Sequence, residues 1–331
     1  MKVIIDKAIP FVKGVLEPFA DVEYIDGDRI GREHAARCDA MLIRTRTRCD
    51  KNLLDGSKVG FIASATIGFD HIDTQYCRSK SITTVRAEGC NARGVLQWVA
   101  AALAHMLALD GRRPEDCTLG VVGVGHIGSI VAEYARMWGF DVVCCDPPRQ
   151  AREGGDFISL AELARKADII TLHTPLDATT HHMIDRRVLA AMRTDAMILN
   201  ASRGEVIDTQ ALLHSEHRYV LDVWESEPNI DPEVLRHASL ATTHIAGYSA
   251  QGKANASAAV IRKLAAHYGL PLTEWYPAEI ARVQPQAIGW QQMCSTMPAH
   301  FDIEQETRRF KADPSQFEHI RNTYNYRQEY F

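Results

Sequence analysis

The sequence predicts an α/β protein built on doubly wound parallel sheets. Three observations carry this. Short β-branched or apolar runs alternate with helical patterns along most of the chain, a glycine-rich turn joins one such run to a helix, and 331 residues exceed what one ordinary core supports. Hydrophobic content of 46% and charged content of 24% fit a globular protein. A formal net charge of −5 gives no global attraction for a polyanion, which argues against a nucleic-acid or membrane-surface protein and leaves any anionic ligand to local donors. No apolar run approaches about 18 residues. The start Met1-Lys2-Val3-Ile4-Ile5-Asp6 turns acidic too soon for a signal peptide, so a cytoplasmic location is expected. Eight cysteines at irregular positions include no Cys-x-x-Cys pair, so they are expected as reduced core residues, with no metal.

In the first region, residues 3–5, 40–43, 61–64 and 82–85 predict strands. Residues 91–109 predict a long helix, with Val95, Val99, Ala102, Leu103, Met106 and Leu107 at helical spacing, Asn91 as cap, and Gly111 and Pro114 as stops. The second region predicts strands at 119–122, 142–145, 169–172, 197–200, 220–223 and 240–242, mostly separated by helical stretches, which implies parallel strands with right-handed crossovers. Residues 253–267 predict a helix that passes back to the first region. After about Pro277 the rhythm is lost. Phe301, Phe310, Phe317, Tyr324, Tyr326, Tyr330 and Phe331 lie among many charges there, and so many rings need a covering surface, either the parent domain or, the preferred expectation, a second subunit.

Gly120-Val121-Val122-Gly123-Val124-Gly125-His126-Ile127-Gly128 is an apolar strand running into G-x-G-x-x-G, with a helix expected over 129–138. Gly123 permits the tight turn, Gly125 lets backbone approach a pyrophosphate, and Gly128 allows close helix–strand packing. The amides near His126 and Ile127 lie where the helix dipole favours phosphate. The next strand ends in Asp146, close to the spacing at which an acid accepts adenosine ribose hydroxyls and repels a 2′-phosphate. The motif therefore predicts a Rossmann-type domain binding NAD.

Three further segments end predicted strands on the same carboxyl edge: Asn200-Ala201-Ser202-Arg203-Gly204, Leu221 to Pro228, and Thr243 to Tyr248. Moving a hydride from C2 of a hydroxy acid requires a base for the hydroxyl proton, and histidine titrates in the useful range. A carboxylate beside it favours imidazolium and orients the ring, and an arginine gives fixed donors to a substrate carboxylate. His244 is assigned as base, Glu227 as its partner and Arg203 as the anchor.

The G-x-G-x-x-G unit, the N-x-x-R-G strand end, the acid in W-E-x-E-P and the H-I-A-G turn are similar to those of the D-2-hydroxyacid dehydrogenases. The likeness extends to the segment 65–73, to Gly89-Cys90-Asn91-Ala92, to Cys145-Asp146-Pro147-Pro148, and to Pro314, Phe317, Arg321, Tyr324, Arg327 and Glu329 of the tail. The resemblance implies a flavodoxin-like substrate-binding domain over 1–90, completed by the 253–275 helix region. It further implies an NAD-binding domain over 91–252 and a small homodimerisation domain over 276–331. It implies oxidation of 4-phospho-D-erythronate with NAD, in pyridoxal phosphate biosynthesis. Thr45 (the family more often has serine, and the hydroxyl is kept), Thr66 and Tyr248 would contact substrate. His126, Ile127, Asp146, Thr174, Ala201, Ser202, Arg203, Asp222 and Gly247 would contact NAD.

Arg44-Thr45-Arg46-Thr47-Arg48 ends a predicted strand, and extended alternation would put its three arginines on one face: either a solvated basic loop or a site where Arg44 or a neighbour meets the substrate phosphate, with tail arginines of a second subunit such as Arg308 or Arg309 as rivals. Two other readings stand: a sibling enzyme such as a 3-phosphoglycerate dehydrogenase or hydroxypyruvate reductase, and a non-catalytic NAD-sensing protein. The presence of all three catalytic side chains argues against the latter.

Overall fold

A computed structural model describes residues 1–331, which divide into two compact units. The first unit comprises Met1–Asn91 and Ala250–Arg282. Its strands β1 (Lys2–Asp6), β2 (Asp21–Ile25), β3 (Ala40–Ile43), β4 (Phe61–Ser64) and β5 (Thr83–Arg86) form one parallel sheet in the order β2-β1-β3-β4-β5. The period of two in each strand divides the core. Val3, Ile5, Leu42, Phe61 and Ala63 face the helix Ala250–Tyr268 through Val260, Ile261 and Leu264, whereas Ile4, Met41, Ile43 and Ile62 pack on the opposite face with Leu53, Leu54 and Cys77.

Strand β2 is absent from the sequence expectations. Its sequence Asp-Val-Glu-Tyr-Ile interrupts its apolar residues with Asp21 and Glu23 and sits at the sheet edge, none of it fully buried, so it lacks the apolar run that marks the central strands. The Arg44–Arg48 segment corrects a second expectation. It turns instead of extending, because the Thr47 amide donates to the Arg44 carbonyl at 3.2 Å and the buried Thr47 hydroxyl donates to the Gly27 carbonyl at 2.8 Å. The three arginines therefore do not share the face that strand alternation would give them.

The second unit comprises Ala92–Ser249 and Val283–Phe331. Strands β6 (Thr118–Val122), β7 (Asp141–Cys145), β8 (Ile169–Leu172), β9 (Met197–Asn200), β10 (Arg218–Leu221) and β11 (Leu240–Ala241) form a parallel sheet ordered β11-β10-β9-β8-β6-β7. Register aligns Val122 with Cys145 and Leu172, and Asn200 with Leu172 and Leu221, so every loop that follows a strand leaves from one edge. Strand β10 ends at Leu221, two residues before the expected end, which puts Asp222 at the start of its loop. The helix Ala92–Asp110 has the length and mean hydropathy of a membrane span, but 72% of its apolar window is buried in this unit, with Trp98 fully enclosed. It is a core helix.

Of the tail, expected as a segment of its own over 276–331, the part from Val283 on belongs to this second unit. It forms helices over Trp290–His300, Ile303–Ala312 and Phe317–Asn322. Phe301, Phe310, Phe317 and Phe331 are all at most 4% exposed; Phe310 lies 5.6 Å from the Trp224 ring, and Phe331 packs on Tyr134 and Trp138. For these rings the chain itself supplies the cover for which a second subunit was invoked.

Candidate active site

The glycine loop is built so that only glycine fits. Gly123 has φ +84° and donates its amide to the Cys145 carbonyl at 2.9 Å; a Cβ there would lie 2.8 Å from the His173 carbonyl carbon. A Cβ on Gly128 would fall 1.9 Å from the Gly123 oxygen. Gly125 instead has nothing within 4 Å of that position and begins the helix His126–Trp138, three residues before the expected start at 129. His126 is exposed and Ile127 half-buried at the mouth of that helix, with Thr174 beside Gly123. Asp146 ties the loop to the next strand: its Oδ2 accepts the Val124 amide at 2.8 Å and its Oδ1 the Arg149 amide at 2.8 Å. An open helix N-terminus, a glycine cradle and a carboxylate at the end of β7 are a donor and acceptor set that fits NAD. Replacing Gly128 by alanine is expected to abolish NAD binding while the chain still folds, measured by titrating NAD against protein fluorescence.

Two loops bring the imidazole of His244 and the carboxylate of Glu227 together. His244 Nδ1 lies 2.8 Å from Glu227 Oε2, and Glu227 Oε1 accepts the Trp224 amide at 2.9 Å. Each partner hangs from a left-handed residue, Ser226 with φ 64° and His244 itself with φ 58°, conformations that cost a non-glycine residue about 1–3 kcal/mol and persist only where surroundings fix them. Asp222 does the fixing. Its Oδ1 accepts the Thr242 hydroxyl at 2.6 Å and the Ile245 amide at 2.7 Å, its Oδ2 accepts the Ala246 amide at 2.9 Å, and its own carbonyl accepts the His244 amide at 2.7 Å. Thr242 is braced in turn by Trp98, whose Nε1 donates to its hydroxyl at 2.9 Å.

Burial pushes Asp222 above the ordinary carboxylate range, against the three hydrogen bonds that favour its ionised form. Burial would also raise Glu227, but the adjacent His244, the Arg321 charge and the Trp224 amide outweigh it and hold that carboxyl below its usual value. Glu227 is thus ionised at neutral pH, where it orients the imidazole.

Arg203 follows Asn200 at the end of β9, the neighbour of β10. The buried Asn200 side chain shapes this loop: its Oδ1 accepts the Ser202 amide and hydroxyl at 3.0 and 2.7 Å, and its Nδ2 donates to the Arg203 carbonyl at 2.8 Å. A Cβ on Gly204 would lie 2.0 Å from the Trp224 carbonyl carbon, so the Arg203 loop and the Glu227 loop run backbone against backbone. Ala201 is half-buried along the same edge, and Ser202 is buried. Gly247 closes the 244–247 turn, next to Tyr248.

In the first unit, Thr45 is exposed after β3, and Thr66 after β4 lies 2.7 Å from the Ser64 hydroxyl. Arg44 donates from Nη1 to the Ala8 carbonyl at 3.1 Å.

Sequence reasoning missed two arginines of the tail. Arg321 Nη1 approaches Glu227 Oε2 to 3.9 Å, and its Nε donates to the Tyr248 hydroxyl at 3.2 Å. Arg327, 6% exposed, donates to the carbonyls of Ile245 (3.0 Å), Tyr248 (3.2 Å), Gly94 (2.7 Å) and Ala246, with its guanidinium 4.5 Å over the Phe301 ring. Both sat in the motif quoted for the tail, but nothing in their spacing says what they reach.

Residues 92–246 match the family described as D-isomer specific 2-hydroxyacid dehydrogenase, NAD binding domain. A solved structure from Thermus thermophilus is 27% identical with a TM-score of 0.69, covering 82% of this chain and 98% of its own. The fold is also that of D-lactate dehydrogenase from Aquifex aeolicus complexed with NAD and lactic acid, at 22% identity and TM-score 0.67 over 81% and 96% of the two chains. Curated erythronate-4-phosphate dehydrogenases align with nearly all of it: those of Bacteroides fragilis and Bacteroides thetaiotaomicron are 41% and 39% identical, each covering 99% of this chain and 97% of its own. The chain belongs to the erythronate-4-phosphate dehydrogenase family.

Proposed function

We propose that this NAD-dependent dehydrogenase oxidises 4-phospho-D-erythronate at C2 to 2-oxo-3-hydroxy-4-phosphobutanoate, a step of pyridoxal 5′-phosphate biosynthesis. The observation that carries the acid–base assignment is the 2.8 Å contact between His244 Nδ1 and Glu227 Oε2. With Nδ1 turned to a carboxylate, Nε2 is the nitrogen that takes the C2 hydroxyl proton in oxidation and returns it in reduction. Arg203 anchors the substrate carboxylate and C2 oxygen through its planar fork. Bound there, NAD would supply the two-electron acceptor for the C2 hydride, with NADH and one proton as net products. Gly123, Gly125, His126, Ile127, Gly128, Asp146, Thr174, Ala201, Ser202, Arg203 and Gly247 hold it, and Asp222 supports that surface by setting the 244–247 turn. Thr45, Thr66 and Tyr248 contact substrate, with Arg44 as a further cation. The enzyme is cytoplasmic and works as a homodimer through 276–331, a reading supported by the tail motif and tested by light scattering in solution.

Steady-state oxidation of 4-phosphoerythronate, followed by NADH absorbance beside unphosphorylated erythronate and 3-phosphoglycerate, tests the substrate. A clear preference for 4-phosphoerythronate is expected. Faster turnover of 3-phosphoglycerate would move the assignment to a sibling enzyme.

A further inference from the structure

Among the cations near the acid–base pair, Arg321 is the one whose fork is not engaged. Its Nε is held by the Tyr248 hydroxyl at 3.2 Å and its guanidinium lies 5.9 Å from the centre of that ring. Its Nη1 stands 3.9 Å from Glu227, too far for a hydrogen bond. The terminal nitrogens hold no other hydrogen bond, yet the side chain is only 26% exposed. A guanidinium brought this far out of water usually finds a planar or tetrahedral anion for its parallel N–H donors. By contrast Arg308 of the same tail is paired with Glu304 at 3.1 Å.

We propose that Arg321 is an anion subsite of the active site and binds the terminal phosphate of the substrate. This rests on the reading of the chain as a phosphorylated-hydroxyacid dehydrogenase. The placement suits a C4 phosphate: the His244 imidazole and the Arg321 guanidinium meet at the same oxygen, Glu227 Oε2, so a group two carbons from the C2 hydroxyl falls within reach of Arg321 while C2 stays at His244. The Glu227 charge offsets part of the attraction, but its two oxygens are turned to His244 and to the Trp224 amide, and Arg203 adds a second cation on the same sheet edge. Tyr248 serves as a positioning residue, holding the guanidinium by Nε and leaving the outer nitrogens for an anion.

The test compares the full-length parent with Arg321→Met and Arg321→Lys on 4-phosphoerythronate and on unphosphorylated erythronate, with inorganic phosphate as competitor and NAD titration as the check of folding. In Arg321→Met, kcat/KM for the phosphorylated acid should fall on the order of 10- to 100-fold, and inhibition by inorganic phosphate should weaken by a similar factor. Erythronate turnover should fall far less, and lysine should restore part of the loss. An equal fall on both acids, or unchanged inhibition by phosphate, would overturn the proposal and leave Arg321 as a support for Glu227. If Arg321→Met loses NAD binding, Arg321→Lys alone decides by the same ratio. If the parent oxidises neither acid, the functional reading fails, and the subsite is judged by calorimetric titration with inorganic phosphate: binding lost in the variant sustains it, and no difference between parent and variant removes it.

Discussion

Replacing His244 by alanine is expected to lower kcat for hydroxy-acid oxidation about 100- to 10,000-fold, the usual range for removing a general base. The affinity for NAD should stay within a few-fold, because the cofactor loop is held by Gly123, Gly128 and Asp146, none of which touches the histidine. Stopped-flow absorbance at saturating NAD separates the two quantities. Glu227→Gln is expected to fall between parent and His244→Ala. The amide keeps the size of the side chain, yet it loses the charge that stabilises a protonated imidazole and can turn an N–H toward Nδ1. Its effect should grow in the oxidation direction, where the imidazole gains a proton during the step. Stability carries a signature of its own. Glu227 is held below its unfolded value, so its contribution is complete above the ordinary carboxylate range near pH 4.5 and is lost as pH falls through the lower, folded value. The Gln variant should lack that part of the acid transition, read by circular dichroism between neutral and strongly acidic pH. Equal kcat for parent and His244→Ala would remove the proposed mechanism.

Much of this site was legible because its parts follow strand ends. Gly123, Asp146, Arg203 and Glu227 each come within a few residues of a run of apolar or β-branched residues, and a doubly wound sheet brings such ends to one edge. The glycine motif also carried its own geometry, since the spacing of Gly123, Gly125 and Gly128 maps directly onto a turn, an open approach and a close contact. What stayed hidden has different causes. Strand β2 interrupts its apolar residues with Asp21 and Glu23 at an edge and looks like a loop when no face is known to be buried. The Arg44–Arg48 turn depends on Thr47 bonding to Gly27, 20 residues earlier, which no local pattern records. Arg321 reaches Tyr248 from 73 residues away, and Arg327 reaches Gly94 from 233. Long side chains that satisfy distant carbonyls leave no period in the sequence. Asp222, expected as a cofactor contact, is only 1% exposed and has both side-chain oxygens occupied by Thr242 and the 244–247 turn, a role that depends on β10 ending at Leu221.

Asp222→Asn should therefore cost more than an isosteric change normally does. In the parent, Oδ1 takes two hydrogen bonds and Oδ2 takes one, all from donors. An asparagine can present only one oxygen, and its amide nitrogen would face either the Ala246 N–H or the pair formed by Ile245 N–H and the Thr242 hydroxyl. One buried donor or more is left unsatisfied, a loss of about 1–3 kcal/mol for each neutral group. The turn that holds His244 at φ 58° then has less to hold it, and the residue can relax toward an ordinary backbone conformation. The expected outcome is a stability loss of about 2–4 kcal/mol in urea titration together with a kcat at least about 10-fold below the parent. Arg327→Met acts on the opposite side of the same turn, where the guanidinium serves the carbonyls of Ile245, Ala246 and Tyr248. Because the two clamps share one segment, the double variant should lose less than the sum of the singles. Additive losses would mean that the tail and Asp222 stabilise the unit independently, and that the turn does not need both.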